Sequence, residues 1–130
     1  NVGAQTRRTG NTAWHPEDLL EMHPVDAEDR GLKDGSWARL ASRAGETTLR
    51  VQVTDRVAPG VVYTTFHHPA TQANVITTEY SDWATNCPEY KVTAVQITPS
   101  NGPTDWQEEY EEQARRSRRI AGHITAEAAE

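Results

Sequence analysis

Between residues 34 and 66 the chain alternates turn signals with short runs of period-two hydrophobicity, and that punctuation restricts it to small-sheet architectures. Asp34-Gly35 precedes Ser36-Trp37-Ala38-Arg39-Leu40-Ala41-Ser42-Arg43, in which apolar and polar residues alternate. Ala44-Gly45 turns the chain into Glu46 to Thr54, where Leu49, Val51 and Val53 share one face. The two runs predict a β-hairpin. Ala58-Pro59-Gly60 punctuates again before a strand expected from Val61 to Phe66. A last strand is expected from Tyr90 to Thr98, carrying Val92, Ala94, Val95 and Ile97, with Pro99 stopping it.

Outside these runs the pattern is sparser. Residues 1–18 read as loop or edge strand, and Leu20 to His23 as a short strand. Pro24 to Gly31 predicts a helix of about two turns, with Pro at the start, acids in the first turn and Gly31 suited to a left-handed C-cap. From Thr104 the chain turns helical, its acids towards the N-terminus and its arginines towards the C-terminus, as the helix dipole favours. Trp106, Tyr110 and Ala114 recur at i, i+4 and i+8, so this narrow stripe is expected to dock the helix. Short strands, one short helix and one terminal helix point to a mainly β barrel, not a parallel α/β sheet. We expect residues 1–99 to form the barrel, 100–121 a C-terminal docking helix and 122–130 a frayed tail.

At 130 residues the chain has material for one core. It starts at Asn1 in already organised sequence, as a piece of a longer polypeptide would. A net charge of -6 argues against a nucleic-acid binder, because the arginines of Arg115-Arg116-Ser117-Arg118-Arg119 are offset by Glu108, Glu109, Glu111 and Glu112. One cysteine, Cys87, excludes an internal disulfide or an iron–sulfur cluster held by this segment's own thiolates, and fits a reducing cytoplasm. Nothing approaches the roughly 20 apolar residues of a membrane-spanning helix.

Among chemically capable residues, His67 and His68 are adjacent, and in a strand they would face opposite ways, which disfavours a shared metal. His15 and His23 each precede Pro and read as turn residues. Cys87, followed by Pro88, is better explained as a buried or loop thiol than as a nucleophile. Glu79 and Asp82 flank Tyr80 and could form an acid–base pair, but nothing in the sequence raises them above a solvated loop. A different set stands out: the Gly3-Ala4-Gln5-Thr6-Arg7-Arg8 loop, Phe66-His67-His68, Asn74, and Tyr90-Lys91. Gly permits close backbone approach, Thr, Gln, Asn and His pair with a polar heterocycle edge, Lys and Arg neutralise phosphate, and aromatic rings cover a ring face. Together they suit a large, polar, phosphorylated ligand. Taken singly, Tyr90 also fits an amphipathic core residue and Lys91 a strand residue reaching to solvent.

These segments, with Asp26-Ala27-Glu28-Asp29-Arg30-Gly31-Leu32-Lys33-Asp34-Gly35, Ser42-Arg43-Ala44-Gly45-Glu46 and the block from Thr64 to Lys91, resemble the C-terminal molybdopterin-guanine-dinucleotide-binding domain of molybdenum or tungsten formate dehydrogenase catalytic subunits. The resemblance runs from Asn1 to about Ile97, and Asp82 to Lys91 looks most like the soluble NAD-coupled enzymes. It implies a six-stranded double-psi β-barrel that contacts the cofactor through Gly3, Gln5, Thr6, Arg7, Phe66, His67, Asn74, Tyr90 and Lys91. It also implies formate oxidation to carbon dioxide by the full subunit, with iron–sulfur clusters, the metal ligand and the catalytic residues in other domains, so no catalytic or metal-binding residue is assigned here. The remaining domains of that subunit, and electron-transfer subunits, would be the partners. Two alternatives stay open: the same domain of a nitrate reductase-like bis-pterin oxidoreductase, and a stand-alone double-psi interaction module, which predicts an exposed Trp106/Tyr110 patch. A self-contained hydrolase built on His67 or Asp82 fits least.

Overall fold

The computed structural model describes residues 8–85 and 92–127. Five strands form one sheet: β1 (Leu19–Met22), β2 (Trp37–Ala41), β3 (Glu46–Val53), β4 (Val62–Thr64) and β5 (Gln96–Ser100), in the order β4-β1-β3-β2-β5. β1 runs parallel to β3 and every other pairing is antiparallel. Among the described residues the sheet is open, with β4 and β5 at its edges, and not a closed six-stranded barrel.

The expected hairpin forms, with Ala41 opposite Glu46 and Trp37 opposite Arg50. Leu20 and Met22 of β1, Ala38 and Leu40 of β2, and Leu49 and Val51 of β3 are buried in one cluster. The short helix α1 (Pro24–Asp29) adds Ala27 to that core. His23 caps it, its Nδ1 accepting the Val25 N–H at 3.3 Å, and Gly31 follows at φ +65°.

Three expectations need correction. The fourth strand ends at Thr64 instead of Phe66, because the polar groups that follow it turn away to a side-chain carboxylate. The last strand begins at Gln96 and runs through Pro99, since β5 is an edge strand whose proline is spared a ladder bond on its open side. The terminal helix α2 (Asp105–Glu127) is not docked by Trp106, which is 42% exposed and stacks on Tyr110 with ring centroids 5.3 Å apart.

Gln107 docks it instead, at 6% exposure. Its Oε1 accepts from the Thr104 N–H at 2.9 Å while its own N–H donates to Thr104 Oγ1 at 3.3 Å, a reciprocal cap of the helix start. The same amide donates through Nε2 to the carbonyls of Thr48 and Ala70, each at 2.9 Å, and accepts from the Thr48 hydroxyl. One side chain thus closes the helix N-terminus and pins it to β3. Among the described residues no helix is long and apolar enough to cross a membrane.

Candidate functional site

The register brings one set of strand ends together. Leu20 near the start of β1 lies opposite Thr64 at the end of β4, while Ala41 at the end of β2 lies opposite both Glu46 and Gln96, the first residues of β3 and β5. The described segments leading into β1, out of β4 and into β5 therefore meet the sheet at one end of its strands. Of the residues expected to hold a ligand, Phe66, His67 and Asn74 lie on the described segment that leaves β4.

The segment after β4 is fixed to this end by side chains. Asp18, 4% exposed, accepts the His67 N–H at 3.0 Å, the His68 N–H at 2.8 Å and the Thr65 hydroxyl. Thr47 Oγ1 donates to the Thr71 carbonyl and Ser42 Oγ to that of Ile76 at 2.7 Å. Ile76 then fills the core, and Gly45 leaves so little room that a β-carbon there would stand 2.7 Å from the Val75 carbonyl oxygen. Residues 65–77 form a strap held at its start, middle and end.

On this strap Phe66 is 48% exposed and meets the ring of His67 edge-on, centroids 6.2 Å apart. His67 is half-buried, and its Nδ1 is buried without a hydrogen-bond partner among the described residues. His68 takes a different role: its Nε2 donates to the His15 carbonyl at 2.8 Å, which locks the strap to the segment before β1. Asn74 is exposed, in a one-turn helix (Ala73–Ile76) preceded by Gln72 at φ 48°. Of the expected contact residues, Phe66, His67 and Asn74 are thus carried on one strap, while Gly3, Gln5, Thr6, Arg7, Tyr90 and Lys91 lie outside the described residues. Cys87 does too.

Asp82 is no acid–base candidate in this setting. Its carboxylate accepts the N–H groups of Ala84 and Thr85, each at 2.8 Å, and the Thr85 hydroxyl at 3.1 Å. The Thr85 and Ala84 backbone bonds lead in holding its pKa below the usual carboxylate range, which favours the ionised form. Among the described residues no three His, Cys, Asp or Glu side chains come together in a way that could hold a metal.

A cleft of about 1610 Å³ borders the strap, between α2 and the sheet face of Trp37, Thr48 and Arg50. Asp18 and the strap residues His68, Ala70 and Thr71 line it, whereas Phe66, His67 and Asn74 do not. Arg50 sits 4.8 Å above the Trp37 ring there and pairs with Glu17 at 3.4 Å.

The comparisons with known proteins identify the family. Residues 1–94, which carry the sheet edge and the strap and stop short of α2, match the family described as Molydopterin dinucleotide binding domain. The chain belongs to this molybdopterin dinucleotide-binding family. It is 35% identical over 98 residues to the F420-dependent formate dehydrogenase 1 subunit alpha of Methanococcus maripaludis, covering 75% of this chain and 14% of that relative. It is 34% identical over 98 residues to the F420-dependent formate dehydrogenase subunit alpha of Methanocaldococcus jannaschii, covering 75% of this chain and 15% of that relative. The chain therefore spans only a small part of those subunits. Acetylene hydratase from Pelobacter acetylenicus superposes with a TM-score of 0.61 at 13% identity, over 73% of this chain and 16% of its own, a likeness of fold.

Asp18 and Gln107 were missed as organising residues. Asp18 has no local signature, since its partners lie 47 to 50 residues away. Gln107 had one: Thr104-Asp105-Trp106-Gln107 has the spacing of a capping box.

Proposed function

We propose that this chain holds the guanine form of the molybdopterin dinucleotide as the C-terminal domain of a formate dehydrogenase catalytic subunit. The observation that carries the reading is the buried, unpartnered Nδ1 of His67 beside the half-exposed ring of Phe66, on a strap anchored by Asp18, Ser42 and Thr47. Leaving a buried polar atom unpaired is costly, and a heterocycle edge is the kind of partner that would satisfy it. The residues present fit the cofactor on that ground. When bound, it supplies a molybdenum or tungsten centre, ligated through other domains, at which formate is oxidised to carbon dioxide.

This chain's part is binding and orientation. His67 pairs with a polar edge of the ligand, Phe66 covers a ring face, and Asn74 offers an amide further along the strap. Gly3, Gln5, Thr6, Arg7, Tyr90 and Lys91 complete the contact set, with Arg7 and Lys91 as the phosphate-neutralising cations. The iron–sulfur clusters, the other domains of the subunit and the electron-transfer subunits complete the enzyme, which we place in the cytoplasm. A sixth strand and closure into a double-psi barrel belong along the edge strands β4 and β5. Exposure of Trp14, Phe66, Val75, Tyr80, Trp83 and Val92, all on segments 8–18, 65–85 and 92–95, supports a surface that is covered in the full subunit.

The test is titration of the 130-residue chain with GDP, followed by backbone amide shifts. Localised shifts at Phe66, His67, His68 and Asn74 are expected. An unchanged spectrum at millimolar nucleotide would overturn a preformed half-site. The chain by itself is expected to be inactive, and metal-dependent formate oxidation by the purified chain would refute that.

A further inference from the structure

We propose that α2 pairs antiparallel with the α2 of a second copy of this chain, along the stripe that faces the cleft. The stripe is Glu108, Glu111, Glu112, Arg115, Arg116 and Arg119, all of which line the cleft. Their spacing places them on one side of the helix. The order of charge along it is acidic, then basic.

That order is self-complementary. A two-fold axis crossing the helix between Glu112 and Arg115 sets Glu108 against Arg119, Glu111 against Arg116, and Glu112 against Arg115 of the second copy. A parallel pairing sets like charges against each other. Self-complementarity under a two-fold axis is what an isologous interface requires, and it names the occupant: a second copy meets the pattern with no other chain needed. Within one copy the opportunity is unused, because none of the six takes part in an ion pair among the described residues. Arg115 Nε donates at 3.3 Å to the Glu111 carbonyl and not to a carboxylate.

The stripe spans residues 108–119, about 18 Å of helix at 1.5 Å per residue. The stripe lies beyond residues 1–94, which match the cofactor-binding family. The strap residues Phe66, His67 and Asn74 do not line the cleft, whereas His68, Ala70 and Thr71 do.

Sedimentation equilibrium on the 130-residue chain and two charge-reversed variants tests the proposal. One variant carries Arg115→Glu, Arg116→Glu and Arg119→Glu; the other carries Glu108→Arg, Glu111→Arg and Glu112→Arg. The unaltered chain should dimerise, each variant should dimerise roughly tenfold more weakly or worse, and an equimolar mixture should regain a one-to-one dimer. Far-UV circular dichroism checks that α2 persists. Should a triple variant not fold, Glu111→Arg mixed with Arg116→Glu poses the same question with one charge altered per chain. A chain that stays monomeric at all concentrations, or reversed partners that do not recombine, would overturn it. GDP-dependent shifts on the strap are expected whichever way this test falls, so the two readings fail separately.

Discussion

Asp18 accepts the backbone N–H of His67 at 3.0 Å across 49 residues of sequence, and that bond decides where the strap begins. The carboxylate takes three donors with two oxygens, and each would otherwise extend β4 or stay unpaired beneath the strap. Asp18→Asn keeps the size but sets an NH2 group against at least one N–H donor. We expect a loss of about 1–3 kcal/mol by urea unfolding, with amide shifts concentrated at Thr65 to His68. A variant of unchanged stability and spectrum would remove Asp18 from this role.

Gln107 poses a sharper substitution. Gln107→Glu retains an acceptor for the Thr104 cap but replaces the donors facing the Thr48 and Ala70 carbonyls with an acceptor. At neutral pH this buries a negative charge against two carbonyl oxygens, so the variant should be at least about 1–3 kcal/mol less stable. Faster amide exchange along the first turns of α2 would show that the helix is released. Equal exchange rates in the two proteins would mean that other contacts hold it.

What could be read beforehand follows the range of each interaction. The β2–β3 hairpin, α1 and the shared face of Leu49 and Val51 are local in sequence, and period and turn chemistry announce them. The strap depends on Asp18, Ser42 and Thr47 reaching backbone groups 24 to 50 residues away, and no periodicity records such bonds. Trp106 misled because an aromatic stripe usually outranks an amide for burial, whereas Gln107 satisfies its entire hydrogen-bonding capacity by being buried. At the site, Phe66 and His67 were legible as polar and aromatic residues where aliphatics would have served a core. Their setting on Asp18 was not.

Asp82 offers a pH test. Its three hydrogen bonds hold its pKa below the ordinary carboxylate value, so the ionised form is favoured in the folded turn. The folded value is the lower one, so the stabilisation is fully present above the unfolded pKa of about 3.9 and fades as pH falls through the folded pKa. A titration of the Ala84 and Thr85 amide shifts should therefore show a midpoint on the acid side of about 3.9. Asp82→Asn should abolish that transition. A midpoint at or above the ordinary value would mean that the turn does not hold the carboxylate.

His67 is where stability and function should part. Its Nδ1 is buried with no partner among the described residues, whereas its backbone N–H is satisfied by Asp18 whatever side chain stands there. His67→Phe replaces the orphan nitrogen with carbon in a ring of similar outline, and keeps an edge-on aromatic neighbour for Phe66. Removing an unsatisfied buried polar atom should leave the chain as stable or up to about 1 kcal/mol more stable. The same change should erase GDP-dependent shifts at the strap, because the polar group meant for the ligand is gone. A destabilised variant that still responds to GDP would show the reverse, that Nδ1 serves the fold and the ligand is held elsewhere.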